Sequence, residues 1–194
     1  MTEQTLVLVK PDGVARGLIG EIFSRLERVG LKIVALKMTR PSRDLADRHY
    51  ALTEEWMLGV FTKAKAKYEA NGEVFPYSDH KAYGKSIKDG LVEFISSGPI
   101  AAVVFEGEQA VALVRKLVGA TEPASSAPGT IRGDFSLDTY ALSNAQNRPI
   151  RNLIHASGNL DEAKNEIAIW FSKEELHAYQ SALDPVQYDE KRFR

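Results

Sequence analysis

The sequence contains no cysteine, and this absence removes several kinds of chemistry at once. Disulfide bonds, a thiol nucleophile and metal sites built from thiolates are excluded, because each of them requires a cysteine sulfur. Two common phosphate-binding signatures are also missing, the Gly-x-x-x-x-Gly-Lys-Ser/Thr loop and the Gly-x-Gly-x-x-Gly turn. The usual glycine-rich phosphate cradles are therefore absent from this chain.

The chain also lacks a strong charge of one sign and a long apolar run. Its formal net charge is -1 over 194 residues, so we expect no nucleic-acid partner, although a local basic pocket remains compatible with that balance. No apolar run approaches the length of about 20 residues that spans a bilayer. The first residues do not show a basic segment followed by an apolar core. We therefore expect no membrane span and a cytoplasmic setting.

Length and apolar content indicate one folded domain. With 194 residues, of which 44% are hydrophobic, the chain is long enough to bury a real core, and we predict a single domain over residues 1–194. Apolar runs and apolar–polar alternation predict four strands. These cover residues 5–10, 31–38, 100–105 and 153–154.

Apolar residues at helical spacing predict the helices between these strands. The predicted helices begin near residues 19, 44, 53, 90, 109 and 160, and a short final one begins near residue 172. The order β-α-β, further helix, β-α-β, extra helix predicts an α+β fold of the ferredoxin-like split βαβ type. In such a sandwich, helices pack on a four-stranded antiparallel sheet.

Two segments do not belong to this simple order. Residues 52–89 contain one predicted helix and a polar, turn-rich remainder with too few apolar residues for a core of its own. We interpret them as an inserted helical segment rather than a second domain. Residues 120–149 lack sustained periodicity, and a loop of this length inside a compact domain is usually functional or disordered.

The candidate chemistry centres on His155, which follows the short strand at residues 153–154 and precedes small turn residues. A histidine where a strand becomes a loop is rigidly held and partly open, which suits a ligand-contacting imidazole. Glu166, one or two turns into the next helix, can orient that imidazole. Side chains able to bind a polyphosphate lie elsewhere in the chain. They are Lys10, Arg115, Thr121, Arg132 and Asn152.

Each of these signals is weak when taken singly. A lone histidine is more often structural than catalytic, and a residue such as Arg115 or Glu166, taken alone, is more often a solvated helix residue than a functional one. Two arginines, a lysine and several neutral donors facing one cleft would nevertheless suit a polyphosphate, and a histidine there would be a nucleophile toward phosphorus.

The motifs taken in order resemble those of the nucleoside diphosphate kinase family over most of the chain. The run Pro-Gly-Thr-Ile-Arg-Gly-Asp at 128–134, followed by Arg-Asn-Leu-Ile-His at 151–155, is the most specific part of the resemblance. Shorter matches accompany these two runs. They are Val-Lys-Pro-Asp-Gly-Val at 9–14, Arg-Gly at 16–17, His49-Tyr50, Ser-Gly-Pro at 97–99, Arg115, Gly-Ala-Thr at 119–121, Glu166 and Trp170-Phe171.

The resemblance implies a function and a set of residue roles. His155 would be the phosphorylated nucleophile of a ping-pong transfer from a nucleoside triphosphate to a nucleoside diphosphate. Ser157 and Glu166 would support it. The matching phosphate- and ribose-side residues are Lys10, Tyr50, Arg115, Thr121, Arg132 and Asn152. We expect broad nucleoside specificity, because no side-chain constellation near these motifs is suited to reading a base edge.

The resemblance also implies a cofactor and an assembly. Mg²⁺ would be held mainly by the nucleotide phosphates, with no protein metal cage, which fits the lack of a carboxylate cluster in the motifs. Nucleoside tri- and diphosphates such as ATP, GTP and GDP would be the ligands. The chain would form a homo-oligomer, either a tetramer or a hexamer.

The chain departs from the family pattern at several points. The usual His-Gly-Ser-Asp reads His-Ala-Ser-Gly at 155–158, and residues 52–89 and 136–150 add length. The phenylalanine that usually stacks on the base has no clear match, and Ile87 falls nearest by spacing. A catalytically weak nucleotide-binding or scaffolding oligomer of the same fold is therefore the alternative, although the intact set of phosphate donors around His155 speaks against it.

The inserted segment has two interpretations. It is either a surface helix that docks on its own domain or on a neighbouring subunit, or a lid whose aromatic residues replace the missing base-stacking ring. Phe61, Phe75, Tyr77 and Tyr83 are the candidates for that ring.

Overall fold

A four-stranded antiparallel sheet forms the centre of the computed structural model, which describes residues 2–188. The strands are Thr2–Val9 (β1), Lys32–Thr39 (β2), Ile100–Glu108 (β3) and Ile154–Ala156 (β4), and their order across the sheet is β2-β3-β1-β4. The unbroken apolar run near the N-terminus is explained by this order, because β1 lies between β3 and β4 and is covered on both faces.

The sheet carries a hydrophobic core on each face. Val7 and Val9 of β1 point into one core, whereas Leu6 and Leu8 point into the other, as the alternation of side chains along a strand requires. The first core is closed by helices Ile19–Glu27 (α2) and Ala110–Val118 (α6). The second is closed by Arg43–His49 (α3), His80–Ser96 (α5) and Leu160–Trp170 (α9).

The remaining helices are short or belong to the inserted segment. They are Pro11–Ala15 (α1), Glu54–Ala70 (α4), Ile131–Phe135 (α7), Tyr140–Ala145 (α8) and Asp184–Tyr188 (α10), with 3-10 turns at Pro123–Ser125 and Lys173–Glu175. This arrangement confirms the predicted α+β, ferredoxin-like sandwich. Among the described residues, no helix has both the length and the apolar character needed to cross a bilayer.

The inserted segment is more helical than predicted. Thr53 accepts a hydrogen bond from the Trp56 amide and begins α4 as expected. The predicted loop up to residue 89 is wrong in its second half, because Asp79 accepts hydrogen bonds from the amides of Lys81 and Ala82 and begins α5 there. The short helix predicted at residues 90–95 is therefore the end of a helix of 17 residues.

The α4–α5 pair holds together through a close contact and a group of aromatic rings. Gly84 of α5 packs against Met57 of α4 so closely that a Cβ atom would lie 2.5 Å from the Met57 Cγ atom. The rings of the segment contact one another with centroid separations between 5.0 and 6.3 Å. They belong to Phe61, Tyr68, Phe75, Tyr77 and Tyr83. The segment thus has more apolar packing of its own than its composition suggested.

Two further predictions need correction. The segment at residues 120–149 is not a plain loop, since it contains α7, α8 and a 3-10 turn, each made of short-range hydrogen bonds. Ser172 and Glu175 form the predicted capping box, but only a 3-10 turn follows it. The chain then passes along the edge of β2, where the His177 amide donates to the Val34 carbonyl oxygen at 2.8 Å.

Candidate active site

His155 lies in the middle of β4 rather than just after a strand. It pairs with Leu8 of the neighbouring β1, whereas Leu153, which was predicted as part of the strand, has φ +68° and lies outside it. Because β4 is adjacent to the central strand, the histidine is fixed to the most buried part of the sheet. Among the described residues β4 pairs with β1 alone, and the His155 side chain remains partly exposed.

A carboxylate and a hydroxyl support the imidazole of His155. Its Nε2 atom lies 3.0 Å from both carboxylate oxygens of Glu166, which projects from α9. The buried Ser157 hydroxyl donates to Glu166 Oε2 at 2.6 Å, and it also accepts the Leu6 amide. Glu166 is itself only 8% exposed, so the predicted supporting residues Ser157 and Glu166 form one connected, buried chain behind His155.

A buried lysine directly after β1 contacts one of the other predicted residues and is connected through it to a second. Lys10 is 6% exposed, and its Nζ atom donates to Asn152 Oδ1 at 2.7 Å. The Asn152 amide group in turn donates to the Thr121 carbonyl oxygen at 2.7 Å. These contacts join the end of β1, the segment before β4 and the loop after α6.

Arg132 is placed differently from the prediction. It was expected to point its guanidinium into a cleft, yet its side chain is buried and donates to four main-chain carbonyl oxygens. Those of Asn152 and Ile154 lie at 3.1 and 2.7 Å, and those of Gly119 and Ala120 at 3.2 and 3.0 Å. All but one of the guanidinium N–H bonds are thereby used. Arg132 ties the strand that carries His155 to the end of α6.

Burial and the charge of a neighbouring arginine lower the pKa values of Lys10 and Arg132. Burial, followed by the charge of Arg132, lowers the pKa of Lys10 to about 8, while Asp12 opposes the shift. Burial lowers the pKa of Arg132 to about 10, and the charge of Arg115 adds to this effect while that of Tyr140 opposes it. Arg115 itself is exposed on α6, and its side chain has no hydrogen bond or ion pair within residues 2–188. The site therefore concentrates positive charge that an anion would stabilise.

Two aromatic residues at the end of α3 complete the surroundings of His155. The ring of His49 lies edge to face on the ring of His155, with centroids 4.5 Å apart, and Tyr50 contacts His49 at 4.7 Å. The Trp170 indole donates to His49 Nδ1 at 3.2 Å. Burial, then the charges of His155 and Lys10, lowers the pKa of His49 well below 6.5, so His49 is neutral. Burial raises the pKa of Tyr50, which therefore keeps its phenolic proton.

The site has one possible metal-binding group among the described residues. Ligand atoms of His49, His155 and Glu166 lie within 4.8 Å of one another. Two of these side chains already bind each other, and the His49 Nδ1 atom accepts the Trp170 proton. This set of mainly nitrogen donors does not suit Mg²⁺, which prefers oxygen ligands in octahedral geometry.

The inserted segment reaches the loop beside Thr121. Lys67 near the end of α4 lies 4.0 Å from the Glu122 carboxylate and 5.2 Å from the centre of the Tyr140 ring. The Tyr140 amide donates to the same carboxylate at 2.7 Å. The α4 helix therefore contacts the segment that carries Thr121.

Comparison with known proteins identifies the family. The sequence profile described as nucleoside diphosphate kinase matches residues 3–75 and 68–176, which together cover most of the chain. The chain belongs to the nucleoside diphosphate kinase family. The two matches overlap at residues 68–75, inside the segment predicted as an insertion.

Relatives in this family are similar along nearly their whole length. The nucleoside diphosphate kinase of Pyrobaculum aerophilum is 46% identical over 179 residues, which is 90% of this chain and 97% of that protein. That of Archaeoglobus fulgidus is 41% identical over 189 residues, which is 97% of this chain and 99% of that protein.

Solved structures of the family show the same fold. The crystal structure of a nucleoside diphosphate kinase from Pyrobaculum aerophilum aligns with a TM-score of 0.88 at 43% identity, covering 92% of this chain and all of that one. A transition-state mimic of the Borrelia burgdorferi enzyme with bound vanadate and ADP aligns with a TM-score of 0.80 at 40% identity. It covers 96% of this chain and 97% of that one.

Sequence reasoning did not list two side chains that the structure places in the site. Asp12 was noted only as part of the motif at residues 9–14, although its Oδ2 atom accepts the Leu153 amide at 3.0 Å. His49 was noted only as part of a motif, although its ring contacts His155. A signal existed for both, because they stand inside family motifs beside predicted site residues.

Proposed function

We propose that this chain transfers the terminal phosphate of a nucleoside triphosphate to a nucleoside diphosphate through a phosphohistidine at His155. The single observation that carries the proposal is the position of this imidazole. It is partly exposed, bonded from behind to Glu166, and carried on a strand that Arg132 holds next to Lys10 and Asn152. Membership of the kinase family supports the same conclusion.

The hydrogen bond to Glu166 assigns the reacting nitrogen. Nε2 faces the carboxylate, so it carries the ring proton, and the lone pair of the neutral ring lies on Nδ1. Nδ1 attacks the terminal phosphorus as the bond from that phosphorus to the oxygen of the leaving diphosphate breaks. The ring proton stays on Nε2, where Glu166 stabilises the positive charge of the phosphorylated ring.

The second half of the cycle reverses the first. A terminal phosphate oxygen of the incoming nucleoside diphosphate attacks the phosphorus, and the bond from Nδ1 to phosphorus breaks. The lone pair returns to Nδ1, so His155 ends the cycle neutral and ready to react again. Because the same site accepts both nucleotides in turn, the kinetics are ping-pong.

The remaining site residues bind and orient the phosphates. Lys10 and Arg115 provide mobile positive charge, whereas Arg132 adds a fixed charge together with its one remaining N–H bond. Tyr50, Thr121 and Asn152 provide neutral groups for the phosphate and ribose side. Broad nucleoside specificity belongs to the proposal, because the motif residues offer no side-chain constellation suited to reading a base edge. Ile87 falls nearest by spacing to the base-stacking position of the family.

Mg²⁺ is part of this proposal. When bound, it neutralises charge on the nucleotide phosphates and orients them. It would be held mainly by the nucleotide phosphates, as the family resemblance implies. Assembly into a tetramer or hexamer also belongs to the proposal. Its only support is the family resemblance. The cytoplasmic setting stays a prediction.

The test is direct phosphorylation of the wild-type protein. Incubation with ATP and Mg²⁺ should add one phosphoryl group in an acid-labile linkage, seen by intact mass measurement, and GDP should remove it as GTP forms. His155→Ala should accept no phosphate while it still binds ADP. Phosphate incorporation into His155→Ala at the wild-type rate would contradict the assignment.

The scaffolding alternative is not favoured. The contacts of His155 with Glu166 and of Lys10 with Asn152 support a phosphotransferase, and the relatives are named as kinases. A scaffold would have no need for a nucleophile connected to a buried carboxylate.

A further inference from the structure

The backbone immediately before β4 adopts a conformation that non-glycine residues rarely take. Leu153 has φ +68°, and the Ile154 amide donates to the Asn152 carbonyl oxygen at 2.8 Å. A hydrogen bond between residues two apart around a positive φ defines a γ-turn of the rare, strained form. A positive φ is energetically unfavourable for leucine, so contacts with the surrounding structure must stabilise it.

The turn lies between two residues of the site. Asn152 on one side bonds Lys10 and the loop at Thr121, and His155 follows one residue after Ile154 on the other side. A change in the Leu153 backbone would therefore alter the direction of the Asn152 side chain and the position of β4 together. The γ-turn sets the relative placement of a phosphate-side residue and the nucleophile.

Both main-chain groups of Leu153 are bound by the turn that follows β1. The Lys10 amide donates to the Leu153 carbonyl oxygen at 2.8 Å, and the Leu153 amide donates to Asp12 Oδ2 at 3.0 Å. Gly13 permits this approach, because a Cβ atom there would lie 3.0 Å from the Leu153 carbonyl oxygen and 2.8 Å from Val9. Residues 10–13 thus bind both the amide and the carbonyl group of Leu153.

From this geometry we infer that Asp12 is a positioning residue, whose side chain holds the strained turn at Leu153 and thereby aligns His155 with the bound phosphate. This inference rests on the proposed function, because alignment matters only if His155 reacts. Asp12 does not touch the imidazole in the described contacts, so it acts through the backbone of residues 152–154. Its role requires a hydrogen-bond acceptor at this position and not a negative charge.

The chemistry of Asp12 allows these two requirements to be separated. Only Oδ2 bonds the Leu153 amide, while Oδ1 is buried and has no hydrogen-bond partner among residues 2–188. The carbonyl oxygen of an asparagine can replace Oδ2 without the charge. Asp12→Asn should therefore preserve the turn, and Asp12→Ala should release it.

The experiment compares kcat and nucleotide KM for the wild type, Asp12→Ala and Asp12→Asn. We expect Asp12→Ala to lower kcat by roughly tenfold to a hundredfold, since a displacement of about 1 Å can cost that much. KM should change much less, and Asp12→Asn should stay within about threefold of wild type on the same reasoning. Equal losses in Asp12→Asn and Asp12→Ala, or an unchanged kcat in Asp12→Ala, would overturn the inference.

Asp184→Ala is the matched control. Asp184 also accepts a main-chain amide, that of Ser181 at 2.8 Å, but it pairs with Lys32 at the opposite end of the sheet. Its removal should leave kcat unchanged. A loss of kcat there equal to that of Asp12→Ala would show that the effect is a general loss of stability and would overturn the positioning role.

Hydrogen exchange of the Leu153 amide provides a second readout if Asp12→Ala does not fold. The inference requires this amide to be protected in both the wild type and Asp12→Asn, and rapid exchange in either would contradict it. Failure of the proposed function would look different. The wild-type protein itself would then fail to take up phosphate from ATP, whatever the state of the Leu153 amide.

Discussion

Nucleotide binding should draw a proton onto Lys10 in mildly alkaline solution. Burial lowers the pKa of this lysine to about 8 in the ligand-free protein, so a large share of it is neutral above that pH. A polyphosphate beside the ammonium group favours its charged form and raises its pKa again. Binding therefore couples to protonation, and the proton comes from the solvent.

The expected size of the effect follows from the pKa of about 8. At pH 8.5 about three quarters of Lys10 is deprotonated in the free protein, so binding should take up about three quarters of a proton if the bound lysine is fully charged. At pH 7 the uptake should be about one tenth of a proton. If only the charged lysine binds phosphate, the affinity should fall about tenfold between pH 7 and pH 9.

The same shift affects folding stability. Moving the pKa from 10.5 to about 8 corresponds to about 3 kcal/mol, which is the cost of keeping Lys10 charged in the empty site. The unfolded chain binds more protons than the native protein between pH 8 and pH 10.5, so this group makes stability rise with pH in that window. Below pH 8 the full cost is present.

The assay is calorimetric titration of ADP into unphosphorylated protein at pH 8.5, in two buffers that differ in ionisation enthalpy. The difference between the two observed enthalpies gives the number of protons taken up. Lys10→Arg is the matched variant, because a guanidinium keeps its charge at this pH and should show almost no uptake while retaining phosphate binding. Uptake below about 0.2 proton in the wild type, against the three quarters expected from linkage, would refute the assignment of this pKa to the phosphate site.

Other substitutions separate structural from catalytic roles. Arg132→Ala leaves four buried carbonyl oxygens without their donor, so we expect a loss of about 3 kcal/mol or more in stability, a fall in Tm of roughly 6–12 °C and a large loss of kcat/KM. Arg115→Ala should lower kcat/KM and leave Tm unchanged, because this side chain is exposed and has no hydrogen bond among the described residues. A fall in Tm as large as that of Arg132→Ala would contradict a purely catalytic role for Arg115. Replacing residues 53–86 by a short Gly/Ser linker should raise nucleotide KM while subunit assembly is kept, because α4 contacts the segment that carries Thr121. Loss of assembly with KM unchanged would make the segment a docking element. Steady-state kinetics, thermal unfolding and size-exclusion chromatography provide these readouts.

Features set by neighbouring residues could be predicted from the sequence. The strand at β1 follows from an apolar run, and the helix starts at Thr53 and Asn159 follow from a side chain that accepts an amide three residues ahead. The support of His155 by Glu166 was also predicted, because one strand, one turn and the first part of one helix separate the two residues.

Features that depend on distant backbone could not be predicted. The carbonyl groups that bind Arg132 come from the end of α6, from Asn152 before β4 and from Ile154 in β4, and nothing in the local sequence marks them as acceptors. The positive φ of Leu153 contradicts the preference of leucine and arises only because residues 10–13 pack against it. The start of α5 was missed because the polar run after Asp79 lacks an apolar pattern, and packing of Gly84 on Met57 stabilises it instead.

The three cations of the proposed site differ in what holds them, and this difference explains how one site can serve two successive reactions. Arg132 is locked by carbonyl oxygens, so it contributes a field that does not change as the phosphate moves. Lys10 is bonded to a single neutral amide oxygen and Arg115 is exposed, so both can follow the phosphate oxygens. A site made only of locked cations would suit one position of the phosphate. Because the phosphoryl group lies first on a nucleotide and then on His155, a fixed charge combined with mobile ones suits both states.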